Sequence, residues 1–280
     1  NSVRLVVFDG AARSPAYFFN EKVLAGLGAG LGQSGHLHPE GRRRAMAALR
    51  RFAALLERLR PARVMTIATA AVRDAADGPE FCAQVLAETG LELTVASGHE
   101  EGRLSAQGVL LGWPEAEGMV CDIGGASLEL AQISGGQVLA AETAPLGPLP
   151  LMEFEGAPRA LRQRIKRDMA RLRSNFSGPV PRLFLVGGSW RAVARLDMAR
   201  RNYPLHVLHE YERPTADILR IANWISNQEP AHLATLTDTS LERLRLLPTA
   251  ALVLKQLLDA LAPGTVAFSR CRRMCARSTR

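Results

Sequence analysis

Residues 119–129 read MVCDIGGASLE, and the rest of the chain is understood through this stretch. Met119, Val120 and Cys121 form a short apolar run ending on Asp122; two glycines follow, and apolar alternation resumes at Leu128 and Leu130. The pattern predicts a strand, a tight glycine turn and a returning strand. Adjacent glycines let the backbone turn through positive φ and present bare N–H groups to an anion, joined here by the Ser127 hydroxyl. Asp122, at the strand end, is placed to hold a divalent cation. A metal-phosphate site and a plain hairpin capped by Asp122 both fit this stretch alone, so the flanking sequence must decide.

Downstream, Ser134-Gly135-Gly136 predicts a second turn with Val138–Ala141 as its return strand, and Leu161–Leu172 a basic amphipathic helix. A strand over Leu183–Val186 then runs into Gly187-Gly188-Ser189 and a helix carrying Arg191, Ala192, Val193 and Leu196. Strand, glycine pair and helix N-terminus is an arrangement that receives phosphate, although close helix–strand packing also calls for such glycines. Helices are expected over Ala216–Ile225, Leu241–Leu246 and Ala250–Leu261, with a short strand near Val266–Phe268.

Upstream, Val3–Phe8 reads as a buried strand followed by an Asp9-Gly10 turn. Beyond a glycine-rich loop, Pro39 opens a long amphipathic helix with Ala45, Leu49, Phe52, Leu55, Leu56 and Leu59 on one face, closed by Pro61. The Arg42-Arg43-Arg44 run on it reads as a solvated face. A strand over Arg63–Ala68 is followed by Arg73, suited either to bidentate phosphate contact or to pairing with Asp74 or Glu80. A helix over Phe81–Leu91 and a strand over Leu93–Ala96 lead to SGHEEGRL, residues 97–104, which opens another helix. Ser97 and Glu100 make a capping box. Glu101 is left over, either as an exposed acid favoured by the helix dipole or as a base toward a water attacking phosphorus, with Arg103 as its charge partner.

At 280 residues and 47% apolar content, two domains with real cores are expected. No run of eighteen apolar residues and no signal segment is present, so a soluble cytoplasmic protein without membrane contact is expected. Cys82, Cys121, Cys271 and Cys275 form no disulfide framework. Of the net charge of +8, residues 270–280 carry +5, leaving +3 for the body; this argues against nucleic acid as a partner, while a mildly basic surface suits a polyanionic substrate.

Taken together, ATAAVRDA (68–75), SGHEEGRL (97–104), DIGGASLE (122–129) and LVGGSWRAVARL (185–196) resemble the exopolyphosphatase and guanosine pentaphosphate phosphohydrolase family, in order and over nearly the whole chain. The resemblance implies an α/β fold of the actin, Hsp70 and sugar-kinase type: two ribonuclease-H-like domains, 1–104 and 105–280, around a central cleft. It implies magnesium-assisted release of terminal phosphate from inorganic polyphosphate or guanosine pentaphosphate. It makes Glu101 the general base, Glu129 a second catalytic acid and metal ligand, and Asp122 the metal-linked aspartate. Arg73, Gly124, Gly125, Ser127, Gly187, Gly188 and Ser189 become substrate-binding, with phosphate loops at 122–129 and 186–191. Glu101 and the 124–125 turn are expected to face each other across the interdomain gap. Dimers are common among such relatives.

Three departures from the family pattern stand out. Its first aspartate-glycine-serine loop would lie just ahead of Asn1, so a chain lacking its true beginning is expected. Ala126 and Leu128 replace a glycine and a threonine. The Arg- and Cys-rich stretch after Phe268 resembles a foreign or out-of-frame end. An ATP-using kinase or ATPase of the same superfold and a catalytically dead binder are the competing expectations.

Overall fold

The computed structural model describes residues 2–10 and 16–269, so the Arg-rich end with Cys271 and Cys275 lies outside the described residues. The chain divides into two compact units, the first ending at Gly98 and the second beginning at His99.

In the first unit, β1 (Ser2–Phe8) pairs antiparallel with β2 (Tyr17–Leu24), a strand that the sequence patterning did not announce. Its residues alternate between half-buried and exposed with Phe18 and Leu24 on the open side, which hides the period-2 signal. After a single turn of helix, α1 (Leu31–Ser34), helix α2 spans Pro39–Leu59 as expected. Pro39 at its first turn costs no hydrogen bond, His38 accepts from the Gly41 N–H, and Ala45, Met46, Leu49 and Phe52 are buried. The arginine run ties the unit together: Arg42 reaches Asp77, Glu80 and Gln84, Arg43 pairs with Glu40, and Arg44 donates to the Ala25 carbonyl. The two strands expected over 63–68 and 93–96 shrink to β3 (Ile67–Ala68) and β4 (Thr94–Val95), paired parallel, with α3 (Ala70–Arg73) and α4 (Gly78–Thr89) between them. Val64 is exposed there, so nothing extends the ladder.

The second unit carries a six-stranded sheet. Helix α5 (Gly98–Gly112) precedes β5 (Gly118–Ile123), β6 (Leu128–Ser134) and β7 (Gln137–Ala144); α6 (Pro148–Leu151), a 3-10 turn at Met152–Phe154 and α7 (Pro158–Arg173) follow. Then come β8 (Arg182–Gly187), α8 (Gly188–Arg200), β9 (Tyr211–Pro214), α9 (Thr215–Ile225), α10 (Pro230–Ala234), α11 (Leu241–Leu261) and β10 (Thr265–Ser269). The strand order is β7-β6-β5-β8-β10-β9: an antiparallel meander, two parallel partners and an antiparallel edge. This is the ribonuclease-H-like order of the actin-type fold. β5 and β8 read as continuous apolar runs because both sheet faces are covered. Cys121, Leu183 and Leu185 pack on one side with residues of α7, α8, α9 and α11, while Val120, Phe184 and Val186 pack on the other with Ala106 and Val109 of α5.

The two helices expected over 241–246 and 250–261 are one, with Pro248 inside. An interior proline costs about 3 kcal/mol. The buried stripe of Leu244, Leu247, Ala251, Leu254, Leu257, Leu258 and Leu261 outweighs it.

Candidate active site

Asp122 and Glu129 are direct partners across the antiparallel β5–β6 ladder. Cross-strand partners share a face, and Asp122 has the parity of Val120, so both carboxylates stand on the side that α5 covers. Helix α5 brings Gly102 and Ser105 to the same place, and Glu101, four positions before Ser105, lies on the same helix face. The Ser105 hydroxyl donates to Asp122 Oδ2 at 2.5 Å. A Cβ on Gly102 would lie 3.4 Å from Glu129 Cβ and 3.2 Å from Ala141 Cβ, so this glycine lets the helix lie close against β6 and β7. His99 Nε2 meets Glu142 Oε2 at 3.2 Å and fastens the first turn of α5 to β7. Glu101, Asp122 and Glu129 are all buried. Glu101 thus belongs with the glycine turn to the compact unit that begins at His99, whereas the expected boundary after residue 104 placed it in the N-terminal domain.

Arg103, expected beside Glu101, instead forks onto Glu100 through Nε at 2.8 Å and a terminal nitrogen at 2.9 Å. The Ser127 hydroxyl, expected to face an anion, donates to Glu129 Oε1 at 2.5 Å, and Thr143 donates to the same oxygen at 3.3 Å. Arg73 belongs to the first unit, where it donates to Asp74 and to the Ala96 carbonyl.

The glycine turn is held from behind. Gly147 N–H donates to the Ala126 carbonyl at 3.1 Å and Leu149 N–H to the Gly125 carbonyl at 2.9 Å, while Gly124 N–H closes the turn on Ser127 O at 2.9 Å. A trans peptide puts C=O and N–H on opposite sides, so the Ala126 and Ser127 amides face away from this brace. Gly147 is itself required by space, for a Cβ there would lie 2.3 Å from the Ala126 carbonyl carbon. Gly124 does not use the positive φ expected of it, and Ala126 avoids that region too, so its replacement of a glycine brings no strain. The left-handed position is Gly187, at φ 120°, where a Cβ would sit 2.7 Å from the Ile123 carbonyl oxygen and 3.0 Å from Asp122 Oδ1.

Sequence reasoning missed Ser105, Thr143 and Gly147, and also Arg243. The Arg243 guanidinium lies against Gly188: a Cβ there would be 3.1 Å from Nε and 3.2 Å from Cζ. It makes no ion pair with a described carboxylate, and burial, followed by the charge of Arg195, lowers its pKa. Desolvated cations of this kind are costly unless an anion is received there. The one local signal was an arginine two residues into an otherwise leucine-rich helix.

Buried carboxylates, braced amides and an unmatched guanidinium beside a strand–glycine–helix junction suit phosphate chemistry. A family profile for the Ppx/GppA phosphatase family matches residues 6–271. The chain belongs to the Ppx/GppA phosphatase family. With that membership it falls among the phosphoric anhydride hydrolases. Solved structures of the same fold include an exopolyphosphatase from Cytophaga hutchinsonii, at 18% identity and a TM-score of 0.88 over 99% of this chain and 93% of that one. A Ppx/GppA family member from Aquifex aeolicus matches at 22% identity and a TM-score of 0.80, over 99% and 92% of the two chains. No helix among the described residues is long and apolar enough to cross a membrane.

Among the described residues, no group of three or more His, Cys, Asp or Glu side chains forms a ready-made metal cage. Magnesium does not need one. It takes one or two carboxylates and completes its octahedron with water and substrate phosphate. The in-register pair of Asp122 and Glu129, each oriented by a hydroxyl, fits that requirement.

Proposed function

We propose that this Ppx/GppA phosphatase releases the terminal phosphate of inorganic polyphosphate, and that of guanosine pentaphosphate, by in-line attack of a water activated by Glu101. The observation that carries the reading is the approach of Gly102 and Ser105 of α5 to the Asp122–Glu129 pair, with Glu101 buried on the same helix. Glu101 takes the proton as the water oxygen bonds to the terminal phosphorus, and the bridging P–O bond breaks, leaving its electron pair on the shortened chain. The Ala126 and Ser127 amides and the Arg243 guanidinium take up charge on the phosphoryl oxygens, with Gly188 and Ser189 giving the substrate access to the start of α8. Arg73 is assigned to substrate binding on its family motif alone. Asp122 and Glu129 would hold magnesium, which when bound neutralises phosphoryl charge. The two described cysteines are free thiols, in keeping with a cytoplasmic enzyme; a homodimer is part of the same proposal.

The test is phosphate release from long-chain polyphosphate, guanosine pentaphosphate and ATP in magnesium buffer. Turnover of polyphosphate well above that of ATP is expected; preference for ATP, or binding without turnover, overturns the reading.

Two variants probe the support of the site. Ser105→Ala removes a hydrogen bond to a charged group, a contact that contributes about 1.5–3 kcal/mol. Magnesium affinity by calorimetry without substrate is expected to fall about tenfold; unchanged affinity denies Ser105 its positioning role. Arg243→Gln is expected to raise KM for polyphosphate roughly tenfold or more with the fold retained, and an unchanged KM would remove Arg243 from the site.

A further inference from the structure

The first turn of α5, which carries Glu101, is seated on three strands of the second unit. At 3.6 residues per turn, His99, Gly102 and Ser105 follow one another around the helix at roughly 60° intervals, and Glu101 lies roughly 40° beyond Ser105. The contacts keep that order across the sheet. Ser105 donates to Asp122 on β5, the missing side chain of Gly102 leaves room for Glu129 of β6 and Ala141 of β7, and His99 Nε2 lies 3.2 Å from Glu142 Oε2 on β7. His99 and Ser105 thus hold the two flanks of the helix, with a glycine between them.

Gly102 sets how closely the helix lies on the strands but not its roll about its own axis, because a bare Cα has no side chain to key into them. The roll is fixed by the polar contacts on the flanks. One of these, Ser105 to Asp122, is a single hydrogen bond; the other is the His99–Glu142 pair. A carboxylate only accepts, so His99 Nε2 carries the hydrogen in this contact. β7 is the edge of the sheet, and Glu142, opposite Leu130, belongs to the face away from α5. The pair therefore closes around the open edge. Its side chains are 62% and 31% exposed, and ion pairs so placed add little to global stability, so the effect of this one is local.

We propose that His99 is a positioning residue: its hydrogen bond to Glu142 fixes the roll of the first turn of α5 and, with it, the place from which Glu101 receives the proton of the attacking water. The inference rests on the reading of Glu101 as the base. A base acts only within hydrogen-bond reach of the proton it takes. Misplacement by about 1 Å can cost about 10²-fold in rate, so a small roll of the helix reaches kcat more than KM.

The experiment compares phosphate release from polyphosphate by His99→Ala, Glu142→Ala, the double variant, and His99→Gln, whose amide can still donate to Glu142. Each alanine variant is expected to lose about tenfold in kcat, with KM within about twofold of the parent and an unshifted melting temperature. The double variant loses no more than either single one, and His99→Gln regains most of kcat. An unchanged kcat in either alanine variant, losses that multiply in the double variant, or a raised KM at parental kcat overturns the proposal. Hydrogen exchange of peptides covering residues 99–105, read by mass spectrometry, requires no turnover. Faster exchange in both alanine variants than in the parent and His99→Gln is expected; equal exchange in all four overturns the contact's role. If the parent releases no phosphate, the hydrolase reading fails by itself, and the exchange comparison still decides whether the pair holds the turn.

Discussion

Glu101→Gln lowers phosphate release from polyphosphate by about 10²–10⁴-fold, the range that a general base contributes. Glutamine keeps the shape of the side chain and its hydrogen-bonding reach but cannot accept the proton of the attacking water. Glu101 is only 2% exposed, on the α5 face that also carries Ser105 and Gly102, so its position is set by packing that the substitution leaves intact. The melting temperature and long-chain polyphosphate affinity of the variant are therefore expected to stay near those of the parent. Steady-state phosphate release, with circular dichroism as a check of the fold, is the measurement. A variant with parental turnover would remove Glu101 from the chemistry.

Gly187→Ala is expected to cost substantial stability. At φ 120° an alanine is strained by about 1–3 kcal/mol whatever the surrounding space. Its Cβ would also press to 2.7 Å from the Ile123 carbonyl oxygen, which belongs to the parallel neighbour strand and cannot swing aside as a flexible side chain can. Together these are expected to cost about 3 kcal/mol or more, lowering the melting temperature by roughly 6–12 °C. Activity falls as well, because the displaced backbone is the one beside Asp122 Oδ1. Gly124→Ala is the matched contrast: a Cβ there meets Ser127 O at an ordinary 3.5 Å, so little stability is lost. Equal thermal shifts for the two variants would contradict the assignment of the strained position to Gly187.

This contrast shows where the sequence could be read and where it could not. The hairpin over 119–130, helix α2, helix α7 and the β8–α8 junction each have a local cause: apolar alternation, Pro39 at a helix start, or a glycine pair at a strand end. Of the carboxylates that the motif resemblance names, Asp122 and Glu129 are cross-strand partners. What stayed hidden depends on neighbours distant in the chain. Gly187 matters because Asp122 and Ile123 lie against it, Gly147 because Gly125 and Ala126 do, and Ser105 because β5 passes beneath α5. Arg243 reaches Gly188 across 55 positions of sequence, and α11 survives Pro248 only through contacts with other helices. The Ser127 hydroxyl looked like an anion donor because nothing local indicated that Glu129 would claim it.

Turnover of polyphosphate in ¹⁸O-labelled water, read by mass spectrometry of orthophosphate and residual polymer, tests most directly whether water attacks the terminal phosphorus. Each released orthophosphate should carry one solvent oxygen and the shortened chain none. Label in the polymer ends, or orthophosphate free of label, would contradict the account.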